Sequence, residues 1–183
     1  MADVIPSQVI IDGEITDNVW RRFDAERLNA EPLPDNGPVI VPLAYWRTHR
    51  DALLERGDVG VCLEPGEETA ELADDLPALP LVAIRFPVFK DGRGYSYARE
   101  LRLRYQYAGE VRAVGDVLQD QLFYMHRVGF NAFEVRADRD IHEALNGLRP
   151  FTTTYQGDVH DERPIYQRRR EFEHEPEHEL EEA

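Results

Sequence analysis

The chain predicts an α/β fold: one domain with a mostly parallel sheet built from short strand–helix units. Two observations carry that expectation. Apolar, β-branched runs alternate with amphipathic stretches at roughly 20- to 30-residue intervals, the signature of right-handed βαβ crossovers. Gly or Pro stands at most of the joints, where the chain changes direction. Residues 81–136 show both most plainly, reading strand, helix, strand, helix, strand. The expected strands of the domain are too few for a closed eight-stranded barrel of about 250 residues. An open three-layer sandwich is therefore the first expectation, and the shortness of the units keeps an incomplete barrel as the alternative.

Taken in order, the N-terminal stretch has two apolar bursts around Asp12-Gly13. Asp-Gly between apolar runs predicts a β-hairpin over residues 8–16, read as an appendage, and the Pro-rich segment 29–37 is a linker. Residues 1–36 thus form hairpin and linker, and the α/β domain is expected over 37–156. Within it, 39–43 is a strand. Trp46, Arg50, Leu53 and Leu54 then recur at helical spacing and Gly57 stands where a C-terminal cap belongs. A second strand covers 59–63, and a short helix is expected from Thr69, acting as its cap, to the break at Pro77 and Pro80. The third strand is 81–86. A helix over about 94–107 places Ala98, Leu101 and Tyr105 on one face, and 110–114 is the fourth strand.

At Gly115-Asp116-Val117-Leu118-Gln119, Asp116 has the side chain to cap the next helix, with Gln119 three residues on to reach back. Leu118, Leu122 and Met125 give that helix a buried stripe, with Gln121 beside it, and Gly129 closes it. Residues 132–135 form a fifth strand, Asp140 caps a last helix, and 151–155 (FTTTY) reads as a sixth, edge strand. From 157 to 183 a basic triplet gives way to Glu and His with little to bury, which predicts a disordered acidic tail. His174 and His178 there offer at most a weak grip on a divalent metal.

Composition narrows the function classes. An apolar fraction of 42% supports a core, and no apolar run nears the roughly 18 to 20 residues that cross a bilayer. The N-terminus lacks a signal-peptide pattern, so no membrane is expected and the cytoplasm is the expected location. The lone Cys62 excludes an internal disulfide and a multi-thiolate cluster, and its place in a strand predicts a buried, inert thiol. Against 36 acidic residues stand 21 basic ones, a net charge of -15, which argues against a nucleic-acid partner because a polyanion is repelled.

Chemistry is expected beyond the carboxyl ends of the strands, where open α/β sheets bind ligands. After the third strand, Gly92 and Gly94 bracket Arg93 at a helix start. First-turn amides near Tyr95 and Ser96, with Arg93 and Arg99, suit a small oxyanion such as phosphate, sulfate or sulfite. The plain alternative is a Gly-rich loop-to-helix joint, since no full phosphate-loop or dinucleotide fingerprint is present. Asp116, at a strand end, is the candidate general acid or base; its capping role is the competing account. Gln121 is either a satisfied interior amide or faces a strand end. Phe86, Phe89, Tyr95, Tyr97, Tyr105 and Tyr107 could stack on a flavin or heme edge, although aromatics at such spacing usually build core. His126 has no second ligand nearby in sequence. No hydrolase or metal signature appears in the folded part, and no cofactor is named by any motif.

The stretch FPVFKDGRGYSYARELRLRYQYAGEVRAVGDVLQDQLFYMHRVGFNAFEV, with PVIVPLAYW and RDALLERGDVGVCLEP upstream, resembles an uncharacterised bacterial family, a domain of unknown function. Its members commonly carry the label of probable oxidoreductases involved in sulfite reduction, a label that follows from genes lying beside those of assimilatory sulfite reductase. The resemblance covers about residues 36 to 136 and implies a pathway rather than a reaction. Its matching polar positions are Asp91, Arg93, Tyr95, Arg99, Arg112, Asp116 and Gln121. Two readings follow. One is a non-catalytic accessory protein with sulfite reductase as its partner. The other is a small oxidoreductase or anion-binding enzyme using Arg93, Arg99 and Asp116; a redox enzyme needs an electron carrier, and no motif supplies one.

Overall fold

A computed structural model describes residues 5–148 and 155–172. Among these the strands are β1 (Gln8–Ile11), β2 (Glu14–Asp17), β3 (Arg21–Arg22), β4 (Val39–Pro42), β5 (Val59–Leu63), β6 (Leu81–Phe86), β7 (Glu110–Gly115) and β8 (Ala132–Phe133). The helices are α1 (Ala25–Ala30), α2 (Leu43–Arg56), α3 (Arg93–Leu103), α4 (Gln119–Val128), α5 (Ile141–Asn146) and α6 (Ile165–Phe172).

One sheet holds all eight strands in the order β2-β1-β8-β7-β6-β5-β4-β3. From β3 through β8 every pairing is parallel, and the hairpin β1–β2 joins antiparallel through β8. Each parallel strand therefore pairs with its predecessor in sequence, and right-handed crossovers of one sense stack the helices on one face. Of the two expected arrangements the molecule takes the incomplete barrel, an open, curled half-barrel. Chain geometry demands the curl. The edge strands β2 and β3 lie at opposite ends of the sheet, yet only residues 18–20 link them. Four Cα steps reach about 15 Å at most, whereas eight flat strands would hold their edges about 34 Å apart. Only a strongly curled sheet brings the edges that close.

Strand alternation sorts the two faces. Val39, Val41, Val61, Val82, Ile84, Phe86, Val111, Ala113 and Phe133 face the helices and meet Trp46, Leu53, Ala98, Leu101, Leu122 and Met125 in one continuous core. The inner face carries a smaller cluster of Ile40, Cys62, Leu81, Ala83 and Val114, covered by Trp20.

Several local expectations change. The N-terminal hairpin is an integral edge of the sheet rather than an appendage, because Ile10 and Ile11 register against Phe133 and Ala132. The helix expected from Thr69 is two short 3-10 turns, Thr69–Leu72 and Leu76–Ala78. Thr69 does not cap; its buried hydroxyl donates to Glu100 of α3. The helix expected over 94–107 is α3 alone, ending at Leu103, and the fifth expected strand shortens to β8. Of the tail expected over 157–183, residues 157–172 are described and include α6; Arg127 of α4 donates to the carbonyls of Gln156 and Gly157. The expected strand 151–155 falls mainly, and His174 and His178 fall entirely, outside the described residues.

Candidate functional site

The loop 87–92 leaves the carboxyl end of β6 and is held from both sides at Phe89. Its N–H donates to Asp116 Oδ2 at 2.9 Å, and its carbonyl accepts from Gln121 Nε2 at 3.4 Å. Asp91 N–H closes a turn on the Val88 carbonyl at 3.0 Å. Asp116 reaches its post because Gly115 adopts φ +97°, where any Cβ would lie 2.4 Å from the Phe86 carbonyl oxygen. Its other oxygen, Oδ1, accepts from Arg136 Nη1 at 2.8 Å. Asp116 therefore ties the loop after β6 to the segment after β8 and does not cap α4. The cap position belongs to Leu118, whose N–H donates to Gln121 Oε1 at 3.0 Å. A leucine side chain has no acceptor, so only the return arm of a capping box is present. Asp116 and Val117 separate the end of β7 at Gly115 from the cap at Leu118.

Arg93 opens α3 and is engaged by Asp91, which accepts from its Nε at 3.0 Å, its Nη2 at 2.6 Å and its backbone N–H at 3.2 Å. The Arg93 hydrogen bond holds the Asp91 carboxyl below the usual carboxylate range. A carboxylate of the chain's own thus sits at the first amide of α3, where an anion is favoured. Gly94 is buried; a Cβ there would come within 2.7 Å of the Phe86 ring, so close helix–strand packing accounts for it. Tyr95 lies edge-on to Phe86 at 5.3 Å and against Tyr124 at 5.2 Å, with its hydroxyl 3.4 Å from Gln121 Nε2. Burial pushes that hydroxyl's pKa up. Ser96 and Arg99 are exposed on α3, and neither has a hydrogen bond or ion pair to another described residue.

Asp91, Arg93, Tyr95, Asp116 and Gln121 accordingly gather around one loop. Arg112 does not. It is wholly buried on the inner face of the half-barrel, where Nε donates to Glu110 at 2.5 Å and Nη1 to Asn18 at 2.8 Å, with Glu134 at 3.3 Å. Arg22 meets the other oxygen of Glu134 at 3.3 Å, and Asn18 donates to Glu134 at 3.4 Å. Small side chains make room: Cys62, Ala83 and Ala132 share the register row of Arg112 across the sheet. Burial pushes the Cys62 thiol up to about 12, so it stays protonated at neutral pH. Arg85 and Glu64 pair at 3.0 Å nearer the strand ends. Sequence reasoning missed Asn18, Arg22 and Glu134. The available signal was alternation: Glu110, Arg112 and Val114 share one face of β7.

The aromatic residues do not form one stacking surface. Tyr107 buries its hydroxyl on the Leu79 carbonyl, and Tyr97 accepts from the Gly66 N–H. His126 stacks on His160 at 4.5 Å. Among the described residues no group of three His, Cys, Asp or Glu is placed to hold a metal, and no helix is long and apolar enough to cross a membrane. A cleft of about 640 Å³ between the starts of α4 and α5 is lined in part by Leu118, Asp120, Phe123, Asp140 and Glu143. None of the sequence-predicted site residues lines it.

The rim loop, α3, the Asp116 clamp and Gln121 all fall within residues 60–166, which match the family model DUF934, a bacterial protein of unknown function. The chain belongs to that family. In this DUF934 domain the match runs from β5 into α6 and so includes the inner-face residues Arg112 and Glu134, while Asn18 and Arg22 lie upstream of it. No curated protein matches the chain.

Proposed function

We propose that this protein is a non-catalytic accessory protein of assimilatory sulfite reduction that acts with sulfite reductase. The pathway is supported by the sequence resemblance described above. One structural observation supports the non-catalytic role: the side chains of Asp91, Arg93, Asp116 and Gln121 are committed to shaping the rim. Asp116 holds Phe89 and Arg136, Asp91 holds Arg93, and Gln121 holds Leu118 and Phe89. A general acid or base must reach a substrate proton, and Asp116 has both oxygens engaged. In this reading the protein works in the cytoplasm and has neither a nucleic acid nor a membrane as partner.

Absorption spectra of the protein purified gently from sulfate-grown cells test the reading. The expected result is siroheme absorbance only in fractions that also hold a larger protein, with the isolated 21.2 kDa chain colourless. A flavin or siroheme spectrum from the isolated chain would overturn it.

A second reading, an anion-binding enzyme, keeps one observation in its favour: Ser96 and Arg99 stand exposed on α3, their side chains without a partner among the described residues. Calorimetric titration with sulfite and with phosphate decides it. Binding that disappears in Arg93→Ala/Arg99→Ala supports the pocket, and equal affinity in the folded double variant removes it.

A further inference from the structure

Resting on the accessory reading, we propose that the tip of loop 87–92 and the adjoining α3–α4 surface form the docking face, and that it fits an acidic partner surface with an apolar slot. Val88 is 55% exposed, Phe89 44% and Tyr124 53%. Phe89 and Tyr124 are linked into one patch, because Gln121 bonds both the Phe89 carbonyl and the Tyr95 hydroxyl, and the Tyr95 ring packs at a tilt against Tyr124, 5.2 Å between centroids. The clamp from Asp116 and Gln121 fixes the backbone that presents Phe89, so little ordering is required when it docks. Aromatic anchors held this way are the usual centres of binding energy.

Charge decides the kind of partner. The chain carries a net charge of -15, yet the charges at this patch with no partner among the described residues are Lys90 and Arg99 against Asp120, which lies near Tyr95. Arg99 follows Tyr95 by one helical turn. A basic, aromatic spot on an otherwise acidic molecule selects a partner whose carboxylates surround a slot for Phe89, while the rest of the surface repels other orientations. Lys90 is also the only lysine among the 21 Lys and Arg residues.

That single amine makes the test direct. Purified sulfite reductase from the same cells is the probe, with affinity read by calorimetry and contact read by carbodiimide coupling, which joins an amine to a touching carboxylate without a spacer. The expected result is an amide between Lys90 and an Asp or Glu of the reductase. Phe89→Ser and Lys90→Glu should weaken binding at least tenfold. Lys90→Arg should keep the affinity and lose the coupled product. Both sites are exposed, and circular dichroism verifies the fold of each variant. Binding of the wild type that is untouched in Phe89→Ser and Lys90→Glu, or coupling through the N-terminal amine alone, overturns this docking face and leaves the accessory reading standing. A wild-type chain that does not bind the reductase at all overturns both.

Discussion

The two faces of the sheet solve opposite problems. The helix-covered face is continuous apolar packing in which Phe86, Ile84 and Val82 meet α3 and α4. The inner face is shared between a small apolar cluster and a buried ionic group of Arg22, Arg112 and Glu134 strapped by Asn18. Burial drives the first face and needs no exact partner. The second is stable only while every charge keeps its counter-ion, since a buried pair contributes little net stability and a broken one costs heavily. The lesson is that the same strands serve a tolerant face and an intolerant one.

The largest expected effect breaks the tolerant face by volume. Phe86→Ala removes a ring that is fully buried against Gly94, Tyr95 and Phe130, and should lower stability by about 3 to 5 kcal/mol in urea unfolding. A loss under about 1 kcal/mol would mean that this core is not packed as described.

The inner face sharpens the contrast. Glu134→Ala alone should destabilise by about 3 kcal/mol, because Arg22 and the buried Arg112 lose the carboxylate they share and Arg112 is left with Glu110 alone. Arg22→Met/Arg112→Met/Glu134→Leu should be less damaged than the single variant, its remaining cost being Glu110 left without Arg112. A triple variant as damaged as the single would show that these charges add stability of their own.

A smaller effect comes with pH. Burial opposes ionisation of Asp75, but hydrogen bonds from Arg50 and from Trp46 Nε1, the latter at 2.8 Å, outweigh it and hold the carboxyl below its ordinary value. The folded pKa is depressed, so this contribution is present above the ordinary carboxylate value of about 4 and fades as pH falls through the folded pKa. Asp75→Asn should flatten the acid limb of the stability curve measured by thermal melts between pH 6 and 2. An unchanged acid limb would assign it to other groups.

The smallest expected effect is at the rim. Asp116→Ala should cost about 1 kcal/mol, since its pair with Arg136 is partly exposed, and should loosen Phe89. Hydrogen exchange at the Phe89 amide reads that directly, and unaltered protection would remove the clamp.

Much of the framework was legible in local pattern. The Asp12-Gly13 hairpin, the apolar runs 59–63 and 81–86 and the Asp140 cap appear where turn chemistry and periodicity put them. Thr69 and Asp116 were misread for one shared reason. A residue with capping chemistry is free to cap only if nothing distant competes for it, and here Glu100 takes the Thr69 hydroxyl while Phe89 and Arg136 take the Asp116 carboxylate. Arg112 was singled out only as a polar position matching the family resemblance, and its partners Asn18 and Glu134 are remote in sequence or follow another strand.

By itself the sequence determined the parallel α/β class, the positions of most strands and helices, and the polar run that follows β6. These follow from side-chain periodicity and backbone preference, which act over a few residues. Only the tertiary structure decided that the sheet curls into a half-barrel, because that depends on three residues having to span its two edges. It alone placed Arg112 beside Glu134 and Asn18, and turned Asp116 from a helix cap into the clamp of a loop. Such pairings are chosen by which distant groups the folded chain brings within hydrogen-bonding reach.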